Sequence, residues 1–386
     1  MENYYPAGPS EVPAGFTRPS ASYKRKAWMA VAGLVTFIVL YLALTVWFAM
    51  TGINRLLALN AHSSFIDILF CACSLFLTAF LVKALFFIKK GKYTGVIELE
   101  RADQPGLFAF LDRVADEAGA PRPHKVFLSN RVNAAVFYDL SLVNLVFPSR
   151  KNLEIGLGLV NMLNLGEFKA VCAHEFGHFG QRSMALGRWV YTTQQIAAHI
   201  VGKRDALDGF LRRLSHFDIR VAWIGWGLGL IVWALRSIVD TGFRLVMIVQ
   251  RALSREMEMQ ADLVAVSLTG SDALIHALQQ LQVADDAWER AMGFVRAEAV
   301  AERPPRDVFV VQQAIAARLG HIYNDPAYGQ RPKVPVTDSA AFRVFKAELA
   351  QPPRMWATHP QNHEREENAK RIYLSAPEDT RSAWSI

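Results

Sequence analysis

The sequence predicts a mostly α-helical integral membrane protein with a small β-sheet. The first indication is the run at 28–50, WMAVAGLVTFIVLYLALTVWFAM, which carries no charge and is long enough to cross a hydrocarbon core of ~30 Å. The second is apolar spacing, which is helical over much of the chain but typical of strands in short runs between residues 125 and 157. Together they predict helices in and beside a membrane, with one sheet.

Two membrane spans are predicted, at about 28–50 and 65–88. Trp28 and Trp47 lie near the ends of the first span, where indoles favour the headgroup boundary. The second span has one charged residue near each end, and such charges reach the interface by snorkelling. A cleaved signal peptide is not expected, because the first apolar run is too long and a leader precedes it. The alternative for both segments is a buried core helix.

Basic residues flank this predicted hairpin on both outer sides. They are Lys24, Arg25 and Lys26 before it and Lys89, Lys90 and Lys92 after it. By the positive-inside rule both flanks are cytoplasmic, so the chain returns to the cytoplasm. These six charges account for most of the net charge of +7, so the expected partner is the lipid bilayer and no nucleic acid. Three cysteines without a disulfide pattern fit the same compartment.

The elements that follow the hairpin are predicted from periodicity and turn residues. Helices are expected at about 104–118, 161–180, 254–268, 271–283 and 361–374. Strands are expected at Lys125–Leu128, Ala134–Tyr138, Leu142–Phe147 and Leu153–Leu157. In the helix at 161–180, Glu167 and Lys169 are expected to point outward.

The segment CAHEFGHFGQ at 172–181 contains the pattern H-E-x-x-H. On a helix, His174 and His178 stand one turn apart on one face, with Cβ atoms about 5–6 Å apart. Both imidazoles can then reach one Zn²⁺ at ~2.0–2.1 Å. Glu175, rotated about 100° from His174, lies beside that metal and is placed to accept a proton from water. Gly177 leaves room for a second element. The alternative is a chance pair of histidines.

A catalytic zinc of this type needs a third protein ligand and an open position. The best candidate is Glu258 in SREMEMQADLVA at 254–265. Glu258 and Asp262 share one helical face, and Asp262 is placed to accept the free N–H of a ligand imidazole. Glu256 points elsewhere, and Cys172 points away from the two histidines. The alternative is a solvated acidic face.

Four stretches of sequence resemble a known family, and they occur in its order. They are VNAAVF at 132–137, GLGLVNMLNLGEFKAVCAHEFGHF at 156–179, SREMEMQAD at 254–262 and THPQNHER at 358–365. From about residue 107 to 371, together with the preceding hairpin, the chain resembles the HtpX-like and CAAX-protease-like membrane gluzincins. One departure is charge: Arg236, Asp240 and Arg244 interrupt an interval where that family usually has two clear spans.

The resemblance implies a zinc endopeptidase that acts at the membrane. It implies metal ligands at His174, His178 and Glu258, a general base at Glu175, and support of a ligand histidine by Asp262. It places Asn133 and Ala134 on an edge strand that holds the substrate backbone. His359 matches a histidine near the zinc that stabilises the oxyanion, and its alternative is a turn residue fixed by Pro360. Arg365 is expected to pair with a local carboxylate.

The fold prediction is therefore a gluzincin-type membrane metallopeptidase with one Zn²⁺ per chain, a polypeptide substrate and an active site on the cytoplasmic side of the inner or plasma membrane. Its expected parts are a disordered tail (1–26), the hairpin (27–92), the peptidase domain (93–375) with a membrane-associated insertion (184–250), and a C-terminal tail (376–386). The insertion is expected to pair a helix at about 184–201 with a long helix over 219–250, partly inserted rather than crossing twice.

Three alternatives remain open at this point. A catalytically idle zinc protein would serve as a membrane chaperone or interaction module, although the intact Glu175 argues against it, because a structural zinc needs no base. A processing protease for lipidated C-termini is the alternative within the same family. A membrane scaffold with an accidental motif is the third.

Overall fold

The structure is a computed structural model, and it describes most of the chain. The residues described are 4–60, 62–86, 95–138, 150–180, 219–335, 337–345 and 360–386, together with Thr193, Ala197 and Gly209. Within them the helices are α1 (Ala21–Ala58), α2 (Phe65–Phe86), α3 (Pro105–Glu117), α4 (Leu157–Val160), α5 (Leu165–Gly180), α6 (Ile219–Thr269), α7 (Ser271–Val300), α8 (Val308–Ile322) and α9 (Asn362–Lys370). The strands are β1 (Val96–Leu99), β2 (Lys125–Ser129), β3 (Ala134–Tyr138) and β4 (Lys151–Gly156).

Three of these helices are long and apolar enough to cross a membrane: α1, α2 and α6. Many of their large apolar side chains face outward, among them Trp28, Trp47 and Trp226. In water such exposure is unfavourable, whereas in lipid these side chains are in their preferred solvent. Both predicted spans are helices, and the beginning of α6 adds a third candidate.

The three helices pack around an interior apolar cluster. Its buried members are Tyr41, Leu77, Phe80, Leu81, Ala197, Leu228, Val232, Leu235, Val239 and Phe243. Arg236 is also buried, with its guanidinium carbon 5.2 Å from the centre of the Phe80 ring, so a charge within the interval faces the bundle rather than lipid. Thr193 and Ala197 fall in the helix expected to pair with α6, but the rest of 184–201 lies outside the described residues.

Helix α6 is continuous for 51 residues. The sequence predicted two helices here, one ending at Gln250 and another beginning at Ser254, and that break is wrong. Residues 243–269 contain neither Gly nor Pro, so nothing in the local sequence ends the helix between them. The same rod therefore begins in the apolar bundle and continues through Glu258.

A four-stranded sheet lies beside α5, in the order β1-β2-β4-β3. β2 and β4 run parallel, and the outer strands pair antiparallel with them. Side chains alternate between the two faces, and Val126, Leu153 and Ile155 lie on the face that joins the main core with α3 and α5. The predicted strands around 125, 134 and 153 are present and β1 is an additional strand, while Leu142–Phe147 lies outside the described residues.

Residues 4–20 follow a defined path over the region that contains the sheet and α5, although the sequence predicted a disordered tail over 1–26. Tyr5 and Phe16 pack against the main core, and the Gln260 amide donates to the backbone carbonyl of Thr17. Ser20 then caps α1 by accepting from the N–H of Tyr23. The proline and glycine content of this segment indicated disorder. Composition does not reveal the residues that order it, because they are far away in sequence.

The first turn of α5 is buried on the side that was expected to face solvent. Glu167 and Lys169 are each 1% exposed, so the outward prediction is wrong for both. Glu167 forms a reciprocal cap with Asn164 and a two-bond ion pair with Arg331. Charges with such partners are tolerated in an interior, and they fix the start of the helix that carries the H-E-x-x-H pattern.

Candidate functional site

Helices α5 and α6 cross in close contact at Gly177. A Cβ on that glycine would lie 3.0 Å from the Ala261 Cα and 3.2 Å from its Cβ and carbonyl oxygen. The missing side chain therefore lets the two backbones approach closely, as the sequence predicted. Gly177 lies one residue before His178, and Ala261 lies three residues after Glu258. The contact thus brings the two predicted ligand sets face to face.

Three donor groups converge at this crossing. The Nε2 atoms of His174 and His178 each lie 3.4 Å from a different carboxylate oxygen of Glu258, and the set of three donor atoms lies within 4.8 Å. Two zinc ligands at ~2.05 Å and a tetrahedral angle are about 3.4 Å apart. Two imidazoles and one carboxylate are also ligands that zinc accepts. The residues present therefore fit a zinc ion.

Asp262 orients one of the two imidazoles. Its Oδ1 lies 2.8 Å from Nδ1 of His174, which leaves Nε2 of that ring for the donor cluster. Asp262 is fully buried, and its Oδ2 accepts from Nε of Arg365 at 2.8 Å. Burial alone would lower the pKa of His174, but the bonds to Asp262 and Glu258 outweigh it and hold that pKa above its ordinary value. A bound cation would compete with that proton.

Arg365 closes the back of the site. Its Nη2 lies 3.3 Å from Nδ1 of His174, and its guanidinium donates twice to Asp262. The carboxylate partner expected for Arg365 is therefore Asp262. The contact of Arg365 with His174, a predicted metal ligand, was missed by sequence reasoning. No nearby sequence signal reveals that contact, because 191 residues separate Arg365 from His174.

Glu175 stands beside the donor cluster, on the side of the sheet. Burial raises the pKa of its carboxyl group, while the two neighbouring histidines and a hydrogen bond from the Val136 backbone N–H act in the opposite direction. Cys172, on another side of α5, is buried, and burial raises the pKa of its thiol. A thiol that stays protonated is a poor metal ligand. Cys172 is therefore not a candidate ligand, and it is not part of the donor cluster.

The open side of β3 faces this site. The Val136 N–H bonds to Glu175, so it points away from β4 and does not bond to Leu153, the residue opposite Val136 on that strand. In an antiparallel pair the residues alternate between bonding to the partner strand and pointing away from it. Ala134, two residues earlier, therefore also points its backbone N–H and carbonyl away from β4. Ala134 thus directs backbone groups to the outer edge, where no strand pairs with β3 among the described residues. The Asn133 carbonyl instead accepts from the N–H of Gly156. Val136 is a further edge residue that sequence reasoning did not name.

His359 lies outside the described residues, so its predicted place near the zinc stays a prediction. Pro360, the next residue, is described and buried. It leads directly into α9, which carries Arg365.

Comparison with known proteins places this geometry in a family. The model of peptidase family M48 matches residues 101–372. The chain belongs to peptidase family M48. That family consists of zinc-dependent metallopeptidases, so the matched region is a metallopeptidase domain. The match contains strands β2, β3 and β4 and both helices that carry the predicted ligands.

Similar curated proteins are protease HtpX homologues. One from Campylobacter curvus is 27% identical over 50% of this chain and 61% of its own length. Another, from Dictyoglomus turgidum, is 26% identical over 70% of this chain and 80% of its own length. A third, from Nostoc punctiforme, is 26% identical over 48% of this chain and 59% of its own. The chain thus spans about three fifths of the first relatives it matches, and no solved structure matches it significantly.

Proposed function

We propose that this chain is a membrane-anchored zinc endopeptidase that hydrolyses peptide bonds of membrane or misfolded proteins. The observation that carries the proposal is the convergence of donor atoms from His174, His178 and Glu258 at distances suited to one tetrahedral zinc. The names of the relatives support the protease assignment. One Zn²⁺ per chain is expected.

The zinc, when bound, would polarise the scissile carbonyl and make water more acidic. The protein supplies the proton transfer: Glu175 accepts a proton from the attacking water and delivers it to the leaving amine. The burial that raises the Glu175 pKa brings it closer to the operating pH, where a general base works best. Asp262 keeps the His174 ring in one tautomer, and Arg365 holds Asp262 in place.

The substrate would be an extended polypeptide that adds to β3. The outward N–H and carbonyl of Ala134 and the outward carbonyl of Val136, whose N–H already bonds to Glu175, provide main-chain hydrogen bonds without reading a side chain. This mode suits unfolded segments, because a folded chain has already used its backbone groups. Asn133 would position the start of that strand through its bond to Gly156. His359 is proposed to stabilise the oxyanion.

The active site is proposed to face the cytoplasm. Lys26, at the basic start of α1, forms an ion pair with Glu256 at 2.6 Å, two residues before Glu258. The basic flank and the donor cluster therefore lie on the same side of the apolar bundle. The positive-inside rule assigns that side to the cytoplasm. The region between α1 and α2 would then face outward.

Single cysteines test this orientation in a variant that lacks the three native cysteines. His62 and Ala299 are both exposed, the first between α1 and α2 and the second near the end of α7. An impermeant maleimide added to intact cells should label His62→Cys and leave Ala299→Cys unlabelled until the cells are opened. Labelling of Ala299→Cys in intact cells would refute the cytoplasmic site.

A matched pair of variants tests the third ligand. Glu258→Gln should lose most of the bound zinc, because an amide is a much weaker ligand than a carboxylate. Glu256→Gln changes the same residue type two positions away, where the side chain pairs with Lys26, and should retain one zinc. Metal analysis of both purified proteins gives the answer. Equal zinc content in the two variants would exclude Glu258.

A third variant tests the chemistry and separates the alternatives. Glu175→Gln should retain zinc and its fold while peptide hydrolysis falls by about 10²–10⁴-fold, the usual contribution of such a base. Undiminished hydrolysis would remove Glu175 from the mechanism. If the wild type itself binds zinc but hydrolyses no unfolded membrane protein, the idle chaperone becomes the better assignment. Cleavage that requires a lipidated C-terminus would favour the processing protease.

A further inference from the structure

The N-terminal arm, residues 4–20, begins with a tightly fitted segment at Tyr5–Pro9, with the sequence YPAGP. This segment packs against a groove formed by α3, α5 and the end of α6, where it contacts Arg113, Lys169 and Leu268 and encloses a pocket together with them. It forms neither helix nor strand over residues 6–9. Its contacts are made by individual side chains and by its own backbone.

The Tyr5 ring is held on several sides. The guanidinium carbon of Arg113 lies 3.8 Å from the ring centre and the ammonium of Lys169 lies 4.1 Å from it. The Tyr5 hydroxyl donates to Glu117 at 2.6 Å, and the ring contacts Phe110 at a centroid distance of 5.5 Å. Cation–π contacts and a charged acceptor together specify an aromatic residue that carries a hydroxyl.

Lys169 is the buried counterpart of this segment. The residue is 1% exposed, and a buried ammonium requires polar partners. Its Nζ donates to the Pro6 carbonyl at 2.9 Å and lies 3.7 Å from Glu117. The segment therefore supplies both a hydrogen-bond acceptor and an aromatic face to a cation that it also covers.

Gly8 provides the closest approach. A Cβ at this position would lie 2.7 Å from the backbone carbonyl oxygen of Leu268, a distance that no side chain tolerates without movement of the backbone. Ala7, its neighbour, is exposed. The groove thus discriminates between adjacent positions of the segment. Pro6 and Pro9 restrict the free segment towards an extended form, which reduces the entropy lost on docking.

We propose that this groove is a binding site for an extended Tyr-Pro-Ala-Gly-Pro peptide and that its occupant is the N-terminal arm of the same chain. The arm continues from Pro9 along the body, bonds to Gln260 through Thr17 and enters α1 at Ala21. Docking therefore fastens the start of the first membrane helix to α5 and α6. The proposal is independent of peptide hydrolysis, because none of its contacts involves the donor cluster.

Lysine footprinting of the full-length protein tests the docking directly. Purified wild type in detergent is pulsed with an acetylating reagent and each lysine is quantified by mass spectrometry. Gly8→Val should raise the acetylation rate of Lys169 by about tenfold or more, since that factor corresponds to about 1.4 kcal/mol of lost docking energy. Ala7→Val adds bulk at the exposed neighbouring position and should leave the rate unchanged. Lys370, 4% exposed on α9, reports global unfolding and should stay protected in both variants.

A synthetic peptide of residues 1–20 tests the specificity of the groove. Added to Gly8→Val, the wild-type peptide should restore protection of Lys169, and a peptide with Tyr5→Ala should not. Equal Lys169 reactivity in wild type and Gly8→Val would overturn the proposal, as would equal effects of the Ala7 and Gly8 variants or restoration by both peptides. Protection in wild type that disappears on dilution would assign the groove to the arm of a second copy and overturn the intramolecular assignment.

Discussion

Asp262→Asn should damage the site in two ways that can be measured separately. The carboxylate uses one oxygen for His174 and both for Arg365, whereas an amide has one oxygen and turns N–H groups towards one of these donors. Arg365 is 8% exposed, so its charge would remain buried without an anionic partner, at a cost of about 3–5 kcal/mol in folding free energy. Loss of the imidazole partner should weaken zinc binding about 10–100-fold.

A double variant separates the two effects. Adding Arg365→Met to Asp262→Asn removes the uncompensated charge, so thermal stability should recover by an amount equivalent to about 1–3 kcal/mol. Zinc affinity should not recover, because His174 still lacks its carboxylate. Stability is followed by thermal unfolding in detergent and zinc affinity by competition with a chelator. If the double variant is no more stable than Asp262→Asn alone, the buried charge of Arg365 is not the cause of the lost stability. If Asp262→Asn binds zinc as tightly as wild type, Asp262 does not orient the ligand.

Three further outcomes are expected. Gly177→Ala should cost about 1–3 kcal/mol of stability, because the added Cβ pushes against Ala261. The control Gly180→Ala should not lower stability in this way, since no atom lies within 4 Å of its added Cβ. Equal melting temperatures for the two variants would contradict the close crossing of α5 and α6. Burial lowers the pKa of Lys169 from 10.5 to about 8, so between pH 8 and 10 the unfolded chain binds more protons and wild-type stability should rise by at most about 1.4 kcal/mol per pH unit. Lys169→Met should lack this rise, and parallel pH profiles would disprove the assignment. Removal of zinc should lower the melting temperature, by the equivalent of about 4 kcal/mol if zinc had been present at a thousand times its Kd; an unchanged transition would show that the folded state gains nothing from metal.

The sequence was most informative where one local pattern determines the structure. The spacing of His174 and His178 requires only a helix, and the uncharged run at 28–50 requires only its own length. The strand at Ala134–Tyr138 was found from local composition. In each case the deciding interaction lies within a few residues, so pattern and structure agree.

Features that depend on distant partners were missed. Lys169 looks like a surface residue until the arm covers it, and the arm looks disordered until the groove is known. Arg365 meets His174 across 191 residues, and such pairings leave no periodic trace. Continuity of α6 through 250–254 was missed for a different reason: the helix is largely apolar up to Gln250 and charged from Arg251 to Glu258, so its side-chain pattern changes there while its backbone continues as one helix.

Helix α6 makes the third donor the far end of a stiff lever. From Ala234, near the middle of its apolar half, to Glu258 the distance along the helix is about 36 Å at 1.5 Å per residue. A rotation of about 5° around that point would therefore carry the Glu258 carboxylate roughly 3 Å at this rise per residue, more than the length of a zinc coordination bond. The tilt of a membrane-spanning helix depends in part on the thickness of the bilayer. The close contact between Gly177 and Ala261, three residues from Glu258, therefore has a second consequence: it ties the end of this long helix to α5, so that Glu258 keeps its spacing to the two histidines when the membrane half of α6 moves.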